Sequence, residues 1–335
     1  MSEVIRRKRT SLQDIALKVG VDASTVSLVL NRKPLAAKLK EETRKRIELC
    51  ARELNYRPSR AARTLRSGKS GMVGIVVGDI SSIFYSEMTA TALQVAESLH
   101  LQLLVAATRW APEKEHDALK NLLDTGVDGI IFLPGSLAMH EDLLKVIRQE
   151  AIPVVTFNYR LKETAGFFCD YSSGIEQAVA ALVPRHTRIG CLVHRSDQAD
   201  KAEPFLAACR KYQVEGVLLK HTGFDFEDYP AGVDLKQLFA PEMPKAWIVC
   251  GGECAVFVLN ESLRRGFRVP EEYEWIGLGC DRLGHFTCPG LAQIVQDPRE
   301  LMQAAFQLLQ QREGEIRIPT RFETGNSIQT KELHI

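Results

Sequence analysis

Residues 11–31 read SLQDIALKVGVDASTVSLVLN and predict two short helices joined by a tight turn. Ser11 is a suitable N-cap, with Asp14 three residues later forming a variant of the capping box. Gly20 suits the end of the first helix, and Asp22 can cap the second. Because the connection spans only about three residues, this is the layout of a helix-turn-helix.

A third helix is expected from about Glu41 to Leu54, where apolar residues recur at helical spacing. The predicted outward face of the second helix is small and mostly uncharged, whereas a helix that only faces water normally carries Glu and Lys. Small hydroxyl and amide groups let a helix seat closely in a DNA major groove, and an exposed leucine can pack on a thymine methyl. A generic helical bundle is the alternative. The face comprises Ala23, Ser24, Thr25, Ser27, Leu28 and Asn31.

Charge is distributed unevenly along the 335 residues. Residues 1–70 hold 18 Lys and Arg against 7 Asp and Glu, a net charge of +11, whereas the remainder carries −10. A basic head on an acidic body predicts that the head meets a polyanion. On charge alone, a solvated basic surface, RNA or a membrane surface remain alternatives to DNA.

Several classes of protein are disfavoured by the sequence. The first nine residues are charged and lack the apolar stretch of a signal peptide, and no apolar run is long enough to span a bilayer. The eight cysteines are scattered without metal-ligand spacing, so we expect free thiols, a cytoplasmic location, no metal and no cofactor. No G-x-S-x-G nucleophile motif occurs, and we expect no enzyme.

Beyond Gly71, apolar runs such as residues 72–77, 129–133 and 189–193 alternate with amphipathic stretches such as residues 86–98. Continuous apolar strands alternating with helices predict parallel sheets covered on both faces. The fold class is therefore α/β, an all-α helix-turn-helix head followed by a two-lobed core of parallel sheets.

The motifs of the head resemble the lactose-repressor (LacI/GalR) family. They are Leu12–Ala16, Val21–Asn31, Glu42–Arg44 and Leu54–Leu65, in that order and closely spaced. The resemblance implies a DNA-binding domain over residues 1–57 and a hinge helix and linker over residues 58–70. One departure is the segment Pro34–Leu39, which is a few residues longer than the usual turn.

By resemblance, Ala23, Ser24 and Leu28 would read bases, while Thr25, Ser27 and Asn31 would mostly hold phosphate. Since the three base readers offer few hydrogen bonds, DNA shape is expected to supply more of the specificity. The resemblance also implies that Leu65 wedges into the minor groove as the hinge helix pairs with its dimer mate. Arg63 and Arg66 surround this leucine with positive charge.

The core, residues 71–335, is similar to periplasmic sugar-binding proteins. Lobe one is expected over about 71–162 and 295–322, and lobe two over about 163–294 and 323–335, with crossings near 160–166, 292–297 and 320–325. Ligands of such folds bind in the cleft at the carboxyl ends of the strands. Effector-binding candidates by position are Phe84, Tyr85, Arg109, Asn158, Tyr159, Asp170, Lys201, Glu253 and Asp281.

Three of the family's ligand positions are altered, at Lys201, at Gly252-Glu253 and at Leu278-Gly279, which argues against a common hexose. The resemblance predicts a regulator, expected to be a repressor. It would bind a pseudo-palindromic double-stranded DNA operator as a homodimer, with a small-molecule effector in the cleft. The alternative is a cytoplasmic solute-binding module without a regulatory role, which leaves the basic head unexplained.

Overall fold

A computed structural model describes residues 10–31, 33–56, 64, 68–133, 147, 149, 151–159, 164–194, 198–221, 232–279 and 281–329. The chain divides into two compact units, Met1–Ser70 and Gly71–Ile335, called the head and the core below. Helices and strands are numbered over the described residues. In this part of the chain no helix combines the length and apolar character needed to cross a membrane.

The head contains a short helical bundle. The predicted capping box is confirmed, because the backbone N–H of Asp14 donates to Ser11 Oγ and the Asp14 carboxylate accepts from the Ser11 N–H at 2.7 Å. Gly20 ends the first helix in the left-handed conformation, at φ +75°. The elements are α1 (Leu12–Val19), α2 (Ala23–Leu30), a 3-10 helix (Pro34–Lys38) and α3 (Glu41–Glu53).

Two features of the head differ in detail from expectation. Asp22 occupies the N-cap position of α2 with extended backbone, but its side chain makes no capping hydrogen bond. The longer segment before α3 forms the 3-10 helix, with Pro34 in its first turn. The three helices share one small apolar core, which includes Ile15, Val19, Val26, Val29, Ile47 and Cys50.

The first lobe of the core is built on a six-stranded, wholly parallel sheet in the order β11-β5-β4-β3-β1-β2. Strands β1, β3 and β4 are almost fully buried because helices cover both faces. The strands are β1 (Met72–Val77), β2 (Gln102–Ala107), β3 (Ile130–Phe132), β4 (Val154–Phe157), β5 (Ala165–Asp170) and β11 (Glu315–Pro319), and the helices are α4 (Ile83–Ser98), α5 (Pro112–Thr125) and α11 (Pro298–Gln311).

The second lobe repeats this plan in the order β12-β10-β9-β8-β6-β7, with the edge strand β12 antiparallel to β10. A π-helical turn (Gln198–Ala202) runs into α7. The strands are β6 (Arg188–His194), β7 (Glu215–His221), β8 (Ala246–Cys250), β9 (Glu274–Leu278), β10 (Ala292–Val295) and β12 (Arg321–Glu323), and the helices are α6 (Ser172–Leu182), α7 (Glu203–Lys211), α8 (Leu235–Leu238), α9 (Gly252–Arg264) and α10 (Asp281–His285).

The chain crosses between the lobes later than expected at the first crossing. The expected lobe boundary at residue 163 was wrong, because β5 pairs with β4 and β11 and therefore belongs to the first sheet. The crossing falls instead at Tyr171, between β5 and α6. The other two crossings lie at Gln296-Asp297 and at Thr320, and the latter puts residues 321–322 in the second sheet rather than the first.

Candidate nucleic-acid interface and inter-lobe cleft

The outward side of α2 presents hydroxyl and amide groups. Ser24 is exposed, and Thr25 and Ser27 are half-buried. The exposed Asn31 amide donates to the Ser27 carbonyl oxygen at 2.7 Å and lies 3.1 Å from Ser27 Oγ. These contacts hold Asn31 against the last turn of the helix, so that its orientation is set before any partner arrives.

Leu28 corrects one expectation from the sequence. It was expected to be exposed, but it is half-buried and packs on the apolar core of the head beside Val26 and Val29. The short helix lies close to its neighbours, so a side chain next to the apolar stripe also finds apolar contact. Ala23 is likewise half-buried against this core.

Two basic groups of the head hold its helices together. Lys18 Nζ lies 2.8 Å from a Glu53 carboxylate oxygen, joining α1 to α3. Arg46 donates to the carbonyl oxygen of Val19 at 2.9 Å, at the turn before α2. Both contacts join α1 to α3, and α2 packs on these two helices through the shared apolar core. The hinge residues Arg63, Leu65 and Arg66 lie outside the described residues.

In the core, an aromatic cluster lines the carboxyl ends of the first-lobe strands. Phe84 lies edge-on to Tyr85 at 5.1 Å between ring centroids and tilts against Phe157 at 5.8 Å. Tyr85 in turn meets Trp110 edge-on at 4.8 Å. The Trp110 ring lies over Gly78, where any Cβ would collide with it. The absence of a side chain at Gly78 thus admits the indole.

The segment after β2 has unusual backbone geometry. Arg109 and Trp110 have φ of +55° and +60°, in the left-handed region that most residues avoid. The N–H of Arg109 donates to the Gly78 carbonyl oxygen at 2.6 Å, which ties this segment to the end of β1. Asn158, directly after β4, has φ +50°. Such backbone strain concentrates at binding sites.

A buried hydrogen-bond network joins the crossings between the lobes. The Asn158 amide accepts from the Cys169 N–H at 2.8 Å and lies 3.2 Å from the Tyr171 hydroxyl. The Gln296 amide donates to the same hydroxyl at 2.9 Å, and Lys201 Nζ lies 5.3 Å from the centre of the Tyr171 ring. Tyr171 is 4% exposed, so its hydroxyl is satisfied within the protein.

Two candidate carboxylates are engaged with backbone groups. An Asp170 carboxylate oxygen accepts from the Ser172 N–H at 3.0 Å, at the start of α6. A Glu253 carboxylate oxygen in the second lobe accepts from the Ile83 N–H at 2.9 Å and the Ser82 hydroxyl at 3.2 Å, both in the first lobe. Each carboxylate therefore already accepts a hydrogen bond from the protein and is only partly available to a ligand.

Models of two protein families match this chain. The model described as "Bacterial regulatory proteins, lacI family" matches residues 11–59, and the periplasmic binding protein-like domain matches residues 182–327. The first covers the helix-turn-helix of the head, and the second covers most of the second lobe. The head is therefore similar to the lacI family of bacterial regulatory proteins, and the core is similar to periplasmic binding protein-like domains.

The chain is 28% identical to the catabolite control protein A of Staphylococcus aureus strain Mu50 over 306 residues, covering 89% of this chain and 91% of that one. The catabolite control protein A of Priestia megaterium is 29% identical over 314 residues, with the same coverage. Among solved structures, a lac repressor dimer bound to operator and an anti-inducer matches with a TM-score of 0.81 at 20% identity. That match covers 96% of this chain and all of the other.

In the core, most of the effector-binding candidates form one continuous set of contacts. It runs from Glu253 through Ile83 and Phe84 to Phe157, and from the adjacent Asn158 through Tyr171 to Lys201. Tyr85 adds Trp110 and its neighbour Arg109, while Tyr159 follows Asn158 and is half-buried. Asp281 starts α10, but its side chain is outside the described set.

The sequence reasoning missed three participants, Trp110, Tyr171 and Gln296. Trp110 and Tyr171 stand next to Arg109 and Asp170, which the sequence did single out, and Gln296 lies in the expected crossing at 292–297. For Trp110 and Tyr171 the available signal was an aromatic side chain beside a residue that was already a candidate. Among the described residues, no group of three or more His, Cys, Asp or Glu is placed to hold a metal ion.

Proposed function

We propose that this protein is a cytoplasmic transcriptional repressor of the lacI family. It binds a pseudo-palindromic double-stranded DNA operator as a homodimer, and a small molecule in the inter-lobe cleft modulates the affinity. The match of the head to the lacI family model supports DNA binding, and the periplasmic-binding-like core supports a small-molecule site. The matched relatives are regulators, which supports a role without catalysis or a cofactor.

The observation that carries the proposal is the surface of α2. Ser24, Thr25, Ser27 and Asn31 offer hydroxyl and amide groups on a helix that packs on α1 and α3 through the apolar core of the head. The surrounding head carries a net charge of +11. Positive charge supplies salt-dependent affinity for phosphates, and small polar groups allow close approach to base edges. We assign Ala23 and Leu28, which are half-buried, to shape and apolar contacts.

Exposed apolar side chains on the core support a dimer. Phe286 is 85% exposed, and Ile80, Leu93, Val105 and Leu263 are also exposed. Such side chains are readily explained if a second copy covers them. In sedimentation measurements, Phe286→Asp should weaken self-association at least tenfold, whereas Leu49→Asp on the head should leave it unchanged. Equal behaviour of both variants and the unaltered chain would remove Phe286 from the interface.

The effector site is proposed between the aromatic cluster of Phe84, Tyr85 and Trp110 and the cation of Lys201. Aromatic faces pack on apolar faces of a ligand, and a few polar groups orient it. Because Glu253 and Asp170 already accept backbone hydrogen bonds, they are less available to sugar hydroxyls than the family pattern implies. This supports an effector other than a common hexose.

The deciding experiment is selection of bound DNA from a random pool by the full chain, followed by affinity measurements at two salt concentrations. A pseudo-palindromic site is expected, with affinity that falls steeply as salt rises. The control is Ser24→Glu together with Ser27→Glu, which places negative charge on the same surface and should abolish recovery of the site.

The competing function is a solute-binding module without a regulatory role. Recovery of DNA with no sequence preference would favour it, because the basic head would then bind polyanions in general. The lacI family match over residues 11–59 argues against this reading, since a solute-binding module has no need for a helix-turn-helix.

A further inference from the structure

Glu253 belongs to the first turn of α9 in the second lobe, yet its hydrogen-bond partners lie in the first lobe. Its carboxylate accepts from the N–H of Ile83, the first residue of α4, and from the hydroxyl of Ser82, the N-cap of that helix. The two distances are 2.9 Å and 3.2 Å. Glu253 thus acts as the side-chain cap of a helix that lies across the cleft.

Charge strengthens this contact. The first N–H groups of a helix have no partner inside the helix and carry the positive end of its dipole, so they bind carboxylates well. The side chain of Ser82 makes no cap of its own for α4. A carboxylate that is half-buried between two lobes is also screened less by water than one at the surface.

A second contact, an ion pair, also joins α4 to the second lobe. Arg282 Nε of α10 lies 3.5 Å from a carboxylate oxygen of Glu87, one turn further along α4. Burial raises the pKa of Glu87 above its ordinary value, and the nearby Arg282 cation offsets only part of that rise. This is expected for a carboxyl group that is partly withdrawn from water. The beginning of α4 is therefore held to the second lobe at two points.

We infer that Glu253 is an internal latch, which caps α4 across the cleft and holds the two lobes together through contacts of the chain itself. A ligand shifts the equilibrium between the latched and unlatched lobes only by its differential affinity for the two arrangements. An effector therefore has to displace the Glu253 carboxylate or add contacts to the latched state.

The test is amide hydrogen exchange of the full chain, resolved at Ile83. Because this N–H lies at the first position of α4, no carbonyl within the helix protects it, and Glu253 is its acceptor. We compare Glu253→Ala, Glu253→Gln and Glu253→Asp. The aspartate keeps the negative charge in the first turn of α9 but is shorter by one methylene, about 1.5 Å. Glu261→Asp makes the same change elsewhere on α9, where Glu261 pairs with Arg264.

Exchange at Ile83 should be at least tenfold faster in Glu253→Ala and Glu253→Asp, intermediate in Glu253→Gln, and unchanged in Glu261→Asp. The amide of Leu99, at the other end of α4, should exchange at the same rate in every variant. An unchanged rate at Ile83 would overturn the latch. This readout involves no DNA, so it separates failure of the latch from failure of the proposed function.

Lobe separation is measured independently by electron spin resonance between labels on the exposed Cys288 and on Gln94→Cys, diluted with unlabelled chain. These sites lie in the second lobe and on α4. The distance distribution should be narrow in the unaltered protein and broader in Glu253→Asp. Faster exchange at Ile83 with an unchanged distribution would show a local helix cap only, and would overturn a role in closure.

Discussion

The two lobes of the core share one architecture but differ in where they place charge and strain. Each has a six-stranded sheet with equivalent strand order. In the second lobe, Glu274 is 1% exposed and accepts two hydrogen bonds from Arg185, at 2.7 and 2.8 Å, with His186 at 2.8 Å. Beside it, Tyr273 stacks on Trp275 with 5.5 Å between the ring centroids.

The first lobe instead has left-handed backbone at both edges of its sheet, including the cleft. Arg109, Trp110 and Asn158 have positive φ after β2 and β4, whereas His100, Ala151 and Arg312 have it at the amino edge, before β2, β4 and β11. Among the described residues of the second lobe, Gln213 is the one non-glycine with positive φ. Glu274 begins β9, so the buried charge lies at the amino edge of the sheet, opposite the cleft.

The second lobe therefore places a buried ionic cluster at the edge opposite the cleft. The first lobe places three of its left-handed residues at the carboxyl ends of its strands, where the effector site is proposed.

The largest expected effect is at Glu274. Glu274→Gln removes one partner of a buried ion pair, which typically costs about 3–5 kcal/mol because Arg185 is left uncompensated. Chemical denaturation of the core measures this loss. The matched control is Glu215→Gln, which breaks the exposed pair with Arg188 on the same sheet and should cost less than about 1 kcal/mol. Equal losses would show that burial does not give the Glu274 ion pair its weight in the stability of the second lobe.

The next effect concerns pH. Burial alone would raise the pKa of Glu274, but hydrogen bonds from Arg185, His186 and the Gln329 N–H lower it to about 2, against 4.5 ordinarily. The unfolded chain therefore takes up the proton first as the pH falls, so stability that is present above pH 4.5 is lost as the pH falls through 2. Denaturation at pH 5, 4 and 3 should show a smaller decline in Glu274→Gln than in the unaltered protein.

A smaller effect is expected in the first lobe at Gly78. Gly78→Ala places a Cβ where the Trp110 ring lies, and the ring, which is 38% exposed, should move outward. We expect a stability loss of about 1 kcal/mol and a marked rise in acrylamide quenching, because Trp247 and Trp275 are fully buried. Gly290→Ala in the second lobe meets open space and should change neither quantity. Unchanged quenching in Gly78→Ala would contradict this placement of Trp110.

The smallest effect separates two equivalent helix ends. After α4, His100 has φ +56°, and the N–H of Leu101 donates to the carbonyl oxygen of Ala96. After α9, Gly266 has φ +82°, and the N–H of Phe267 donates to the carbonyl oxygen of Ser262. Left-handed backbone costs a residue with a side chain about 1 kcal/mol. Thermal unfolding should therefore show His100→Gly as stabilising and Gly266→Ala as destabilising, each by about that amount. The same sign for both would show that strain is not what distinguishes these ends.

Much of the fold could be predicted from the sequence because apolar periodicity reports burial directly. The strand at 72–77 appears with its predicted bounds, and α3 ends within one residue of expectation. The strand at 165–170 was not predicted. Its run AGFFCD is short, and no local signal tells which sheet it joins, because pairing with β4 and β11 is a long-range choice.

The candidate site was less predictable, because a residue's position after a strand does not reveal its partners. Glu253 follows β8 as the family pattern requires, yet its carboxylate reaches residues 82 and 83. Leu28 lies beside an apolar stripe, and only the packing of α1 and α3 decides that it is half-buried. The DNA-binding and effector assignments therefore stay predictions.

The three crossings between the lobes limit how one lobe can move relative to the other. Each is one or two residues long, at Tyr171, Gln296-Asp297 and Thr320, and direct hydrogen bonds tie Gln296 to Tyr171 and Thr320 to Asp170. Connections this short favour rotation of one lobe against the other over sliding. In such a rotation the displacement grows with distance from the three crossings, so a small change at the cleft becomes a larger one at the far ends of the lobes.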